Sequence, residues 1–370
     1  MRFRRLVGKL HLWLGLPVGI VVFVIAVTGC IYTFHEEIEN LNRPWRFVEN
    51  TGKQMLPPSV LQSKAENELP GKHLHSVKYN GGEMAAEAIF YNEEPLYYYS
   101  VFLNQYNSEV LKVNDNMKGF FRFILNGHFY FWLPPKIGQP FVAISTLVFI
   151  MLLLTGIVLW FPRNIYMLKY AFSFVWRPGL PWKRKNLDLH SIVGFYTSFF
   201  ALILALTGLV WGFQWFASGL YKAAGGEKSL VYADPGSTTA KTDSVATGFS
   251  AIDEIWVKMM KEYPNAASIE IHPPETALSS VAANANLDYG TYWKTDYRYF
   301  DLFTLKEIEV DHIYGRLDNA GFADKMFRMN YDIHVGAIGG IAGKILVFLI
   351  GLVVASLPVT GFIIWWVKRY

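Results

Sequence analysis

The sequence predicts a mainly α membrane protein: a four-transmembrane-helix bundle from a tandem repeat, read as helix, outer domain, helix, twice over, with two small α+β outer domains. Three observations predict it. Hydrophobic residues make up 52% and aromatic residues 16% of the 370, and the apolar ones gather in four long blocks instead of amphipathic stripes. The blocks, roughly 12–34, 141–161, 192–216 and 341–367, each approach or exceed the ~20 residues that cross a ~30 Å hydrocarbon core. Third, phrases of the first half return in the second at shared spacings.

The blocks contain no Asp, Glu or Arg; Lys344 stands near the start of the fourth. Basic residues flank them at Arg2, Arg4, Arg5 and Lys9, between blocks two and three at Arg163, Lys169, Arg177, Lys183, Arg184 and Lys185, and at Lys368 and Arg369. The positive-inside rule puts all three groups in the cytoplasm and the long segments 36–139 and 217–340 outside. The lipid bilayer is therefore a partner, and a net charge of +4 needs no nucleic acid to explain it. The first block is too long for a signal peptide, and no small-x-small cleavage site follows, which predicts a retained helix. Cys30, the only cysteine, lies inside that block as a small buried hydrophobe, so there is no disulfide framework, thiolate metal cluster or CxxCH.

The predicted organisation is helix 1 over 1–37, outer domain 1 over 38–117, a lead-in and helix 2 over 118–163, and a basic loop over 164–189. Helix 3 follows over 190–216, linker and outer domain 2 over 217–324, and a lead-in and helix 4 over 325–370. In the first outer segment "PPSVLQSKAENEL" reads as a helix, and "HLHSVKYN", "MAAEAIFYN", "PLYYYSVFLN" and "SEVLKVN" as antiparallel strands. In the second, "FSAIDEIWVKMMKEYP" is a helix and "ASIEIHPP", "SSVAANAN", "TYWKTDYRYFD" and "KEIEVDHI" are strands; the Gly/Ser/Thr-rich stretch 222–248 is an exposed linker.

The repeat has a fixed register. His11 precedes Thr28-Gly29 by 17 residues and His190 precedes Thr207-Gly208 by the same 17. Blocks two and four carry Thr155-Gly156 and Thr360-Gly361, and each is entered through a phrase running from Phe-Arg to His: "FRFILNGH", ending at His128, and "FRMNYDIH", ending at His334. Each half crosses twice, so the halves share an orientation, related by an approximate two-fold axis along the membrane normal. That axis pairs His11 with His190 at the cytoplasmic face and His128 with His334 at the outer face.

A histidine at a membrane helix is a functional-site candidate by default. Two opposed imidazoles without nearby carboxylates suit the two axial positions of a haem iron, whereas zinc takes about four ligands, commonly with Cys or carboxylate among them. A single His at a helix end is ordinarily an interfacial residue; four of them paired by a repeat favour ligation, and hence two haem b groups. The Thr-Gly pairs read as packing devices, with Thr bonded back to its own helix, and the tryptophans near helix ends as an aromatic belt. Arg122 and Arg328, six residues before the outer histidines, suit either haem propionates or lipid headgroups. His35 has Gln214 as its equivalent (35 + 179), so it reads as a polar interface residue and otherwise as a substitute outer ligand. His73, His75, His272 and His312 share no spacing and read as surface residues. Tyr97–Tyr99 and the run "TYWKTDYRY" read as sheet packing, with a chelate platform as the functional alternative.

The phrases "KLHLWLGLPVGIVVFVIAVTGCIYTFHEEIENLNRP", "LLLTGIVLWFPR", "LDLHSIVGFYTSFFALILALTGLVWG" and "DIHVGAIGG…LPVTGFIIWWVKR" resemble the PepSY-associated transmembrane proteins, which include inner-membrane ferric-siderophore reductases. The resemblance runs essentially the full length. It implies a four-helix core with periplasmic PepSY-like domains, two b-type haems on His11, His190, His128 and His334, and reduction of siderophore-bound ferric iron. The expected chemistry is electron transfer, from an unidentified cytoplasmic or quinol donor to a ferric siderophore or other ferric chelate, releasing Fe(II). No glycine-rich dinucleotide fingerprint or flavin site accompanies it. The alternative is a non-enzymatic module whose outer domains bind or regulate an envelope protease while the helices anchor them; a transporter would call for acidic or broken helices at mid-membrane.

Overall fold

Four helices are long and apolar enough to cross a membrane: Arg2–Thr33, Pro135–Trp160, Trp182–Gly212 and Ala337–Val367. The chain is a multi-pass membrane protein. In this computed structural model the described residues are 2–162, 164–238 and 248–369; Arg163 of the basic loop and 239–247 of the expected linker lie outside them. Two units form: a membrane unit of Met1–His35, Phe120–Leu220 and Asn330–Tyr370, and a sheet unit of Glu36–Gly119 and Tyr221–Met329.

The second membrane helix starts before its apolar block because Pro135 stands in the first turn, where its missing N–H costs nothing. The third starts ten residues early: the polar turn Trp182–Asp188 runs through a π-helical turn, Leu189–Val193, into Gly194–Gly212. It stops at Gly212, since Phe213 is extended, and a separate helix, Gln214–Ala223, follows. Val22, Leu153, Ala201 and Val354, one from each crossing, meet in the bundle core. Cys30 is buried there, and a Cβ at Gly351 would come 2.5 Å from its sulfur, so the close approach of the first and fourth helices requires the glycine.

In the sheet unit the strands are β1 (Leu74–Tyr79), β2 (Ala86–Glu93), β3 (Leu96–Leu103), β4 (Val110–Asp115), β5 (Ser268–His272), β6 (Val281–Asn286), β7 (Thr295–Phe300) and β8 (Glu307–Ile308). They form one antiparallel sheet in the order β4-β3-β2-β1-β5-β6-β7-β8. The two outer segments expected at 38–117 and 217–324 thus share one sheet. Each segment alone leaves β1 or β5 with an unpaired edge, and pairing them, with Val77 opposite Ile271, satisfies both edges and buries both side chains completely. The helices Pro58–Glu68 and Gly248–Glu262 cover one face with Leu61, Ala65, Ile252, Ile255 and Met259. Ser59 joins them, its N–H and hydroxyl donating to the Asp253 carboxylate at 2.9 and 2.5 Å.

Candidate functional site

Each of the four repeat histidines stands at the start of a crossing. His11 is on the first membrane helix, His128 on the lead-in helix Phe120–Tyr130, His190 in the π turn, and His334 at the end of Asn330–His334. Each Thr-Gly pair lies toward the far end of a crossing. Within each half the two antiparallel crossings therefore exchange partners.

The exchange is made through Nδ1. His11 donates to Thr155 Oγ1 at 2.9 Å and His190 to Thr360 Oγ1 at 2.9 Å. His334 donates to Thr207 Oγ1 at 2.9 Å, and His128 donates to the Ile25 carbonyl at 2.9 Å with Thr28 Oγ1 at 3.4 Å. The direction follows from the threonines. Each hydroxyl proton is already given to its own helix: Thr28 to Val24 O at 2.7 Å, Thr155 to Met151 O at 2.8 Å, Thr207 to Ile203 O at 2.8 Å and Thr360 to Leu357 O at 3.0 Å. The hydroxyl oxygen is then an acceptor, so Nδ1 carries the imidazole proton and Nε2 carries the lone pair.

The glycines complete the seat. A Cβ would stand 3.0 Å from His128 Cε1 at Gly29, 3.2 Å from His190 Cε1 at Gly361, and 3.4 Å from His11 and His334 Cε1 at Gly156 and Gly208. Gly127, just before His128, is required as well, because the Trp132 ring lies where its Cβ would be, 2.4 Å away. The Thr-Gly pairs are thus more than the packing devices expected: the back-bonding holds, and the hydroxyl also fixes a histidine.

Across the halves the rings pair. His11 and His190 have centroids 6.4 Å apart with planes at 81°; His128 and His334 are 6.1 Å apart at 64°. A metal at ~2 Å from each of two imidazole nitrogens, with ~1 Å from nitrogen to ring centre, separates the centres by roughly 6 Å, so both pairs fit a two-nitrogen axial set. Among the described residues no group of three or more His, Cys, Asp or Glu is arranged to hold a metal ion. His11 and Thr28 share one helix 17 residues apart, so the two pairs lie ~26 Å from each other along it.

The other expected site residues divide. Arg122 belongs to the membrane unit, and its buried Nε has no hydrogen-bond partner among the described residues. Arg328 does not repeat it. The helix Phe322–Arg328 ends before Asn330–His334 begins, and Arg328 lies in the sheet unit, where its guanidinium donates to the carbonyls of Ile313 (2.5 and 2.9 Å), Gly315 (2.6 Å) and Thr295 (3.1 Å). These four bonds make it a clamp on the backbone of the sheet unit. His35 stacks on Tyr32 with ring centroids 4.0 Å apart and donates from Nδ1 to the Tyr32 carbonyl at 2.9 Å.

His312, read from sequence as a surface residue, is 4% exposed and packed among Tyr232, Tyr299 and Tyr314. Burial pulls its pKa below the ordinary value. His272 is also mostly enclosed, with its ring 4.9 Å from that of His75, and burial lowers its pKa too. Tyr97 and Tyr99 pack against the sheet core with Lys72 over their rings, and Tyr299 donates to Tyr314 O, as sheet packing requires.

Sequence reasoning missed Asn186 and Asn330. Both are buried, and their side-chain amides donate to the carbonyls of Thr360 at 3.0 Å and Thr207 at 3.1 Å. The signal was present: Asn-x-Asp-x-His occurs as "NLDLH" and "NYDIH".

Fold and site together define a multi-pass membrane protein, mainly helical with one sheet, whose crossings converge on two histidine pairs. The family model for the PepSY-associated TM region matches residues 9–368, and the chain belongs to that family. No curated protein matches it.

Proposed function

We propose that the chain is an inner-membrane oxidoreductase that carries electrons through two b-type haems, one held by His11 and His190 and one by His128 and His334, to a periplasmic ferric siderophore. The observation that carries this reading is the two imidazole pairs, with ring centres at 6.4 and 6.1 Å and each Nδ1 proton already committed. Bound there, haem iron would supply one-electron chemistry.

The protein's own groups do the rest. Thr155, Thr207 and Thr360, and the Ile25 carbonyl at His128, hold the tautomer that presents Nε2, and the paired glycines let each ring lie against a helix. Arg122 offers its unsatisfied Nε to a propionate. Under this reading both termini and the basic loop are cytoplasmic, the sheet unit is periplasmic, and its two half-sheets are PepSY-like domains of a tandem repeat. The donor is a cytoplasmic protein or a quinol. Siderophore oxygens hold Fe(III) far more tightly than Fe(II), so reduction of the substrate releases the metal.

Purification in mild detergent with pyridine haemochrome quantification tests this, alongside His11→Ala, His128→Ala, His190→Ala and His334→Ala. The expected result is about two haems b per chain, one signal altered in each variant, and reoxidation of the reduced protein by a ferric siderophore. A colourless wild type that cannot be reconstituted overturns the reading in favour of a membrane-anchored binding module.

A further inference from the structure

At each histidine pair the two members are held differently. Asn186 stands four residues before His190 and Asn330 four before His334, and residues at i and i+4 share a helix face. Each Asn–His couple therefore grips one threonine at two points. His190 donates to the Thr360 hydroxyl while Asn186 donates to the Thr360 carbonyl; His334 and Asn330 take Thr207 the same way. A residue held by both its side chain and its main chain cannot rotate about either contact alone. The first half lacks the second point: four residues before His11 and His128 stand Val7 and Ile124, both buried and without a side-chain donor.

Building on the haem reading above, we propose that Asn186 and Asn330 are positioning residues that make His190 and His334 the fixed ligand of each pair, with His11 and His128 as the compliant partners. With haem bound, the held imidazole would keep its position while its partner is free to adjust. The asymmetry follows the halves of the chain and not the membrane faces, so it is the same at both sites.

The test replaces each Asn with its first-half counterpart, Asn186→Val and Asn330→Ile, in the full-length protein, with Asn186→Ser and Asn330→Ser as milder variants should the first pair fail to fold. The readouts are haem per chain, the low-spin ferric EPR signals, the midpoint potential of each haem, and binding of carbon monoxide to the reduced protein. Asn186→Val is expected to shift only the signal that His190→Ala abolishes, and Asn330→Ile only that of His334→Ala. Haem content should stay near wild type, and carbon monoxide should bind more readily at the altered site. A loaded protein whose signals and potentials stay unmoved, or in which each substitution shifts both haems alike, overturns this inference alone. A wild type that binds no haem overturns the functional reading and this inference with it.

Discussion

His334 gives its Nδ1 proton to Thr207 Oγ1 across 2.9 Å, and Thr207 gives its own hydroxyl proton to the Ile203 carbonyl at 2.8 Å. This chain of two bonds sets the tautomer of a histidine on one crossing from the backbone of another. The same relay occurs at His11 through Thr155 and at His190 through Thr360. Metal-ligating histidines commonly present a second nitrogen to such an acceptor, which fixes ring orientation and raises ligand basicity.

Thr207→Val keeps the shape and removes the acceptor. The loss of one buried hydrogen bond, about 1 kcal/mol, corresponds to roughly 40 mV in a one-electron couple if it falls on one oxidation state. On the proposed di-haem reading, potentiometry of the loaded protein is expected to show one midpoint move by up to that amount while the other stays. A move in both would mean that the hydroxyl acts on the bundle as a whole.

The glycine seats differ in tightness. Gly29→Ala puts a methyl 3.0 Å from His128 Cε1, whereas Gly208→Ala leaves 3.4 Å to His334 Cε1, an ordinary contact. On the proposed haem reading, the first substitution is expected to displace the ring and lower haem occupancy at that pair several-fold, and the second to leave it near wild type. Haem-to-protein ratios decide; equal losses would show that the glycines matter for helix packing and not for the ring.

Arg298 is 4% exposed between the carboxylates of Glu262 and Glu307, over the ring of Phe300. Arg298→Leu leaves Glu262 without its paired cation and Glu307 with Arg316 alone, at 3.0 Å. Breaking a buried pair costs ~3–5 kcal/mol, and since both glutamates keep some solvent the expected loss is about 2–3 kcal/mol. Denaturant unfolding followed by tyrosine and tryptophan fluorescence measures it, and a loss below 1 kcal/mol would show the pair to be screened.

His312 gives the sheet unit a pH dependence of known sign. Burial holds its folded-state pKa below the ordinary 6.5, so the unfolded chain takes up the proton first and stability falls as pH drops below about 6.5. His312→Phe suits the surrounding tyrosines and forgoes the 3.2 Å bond to the Ala233 carbonyl. It is expected to lower stability by about 1 kcal/mol at pH 7.5 and to flatten its decline between pH 6.5 and 5. Melting curves with an unchanged slope would assign the decline to other groups.

The sequence by itself determined what short-range physics writes locally. Four runs without Asp, Glu or Arg have to be satisfied within a bilayer, alternating runs have to be strands, and a 17-residue register from His to Thr-Gly has to place the two at opposite ends of a crossing. The spacing also predicted which histidines meet, and the structure brings His11 to His190 and His128 to His334.

Only the tertiary structure decided what depends on which edges and faces end up together. Two outer segments, each readable as a domain, share one sheet because β1 and β5 have complementary open edges, which no local pattern announces. Arg122 and Arg328 occupy the same place in matching phrases, yet the helix break after Arg328 sends it to the carbonyls of Ile313, Gly315 and Thr295. His312 looks like any loop histidine until three tyrosines enclose it. The tautomer of the four paired histidines is likewise a long-range property, since the acceptor that fixes each one lies more than 100 residues away in the chain.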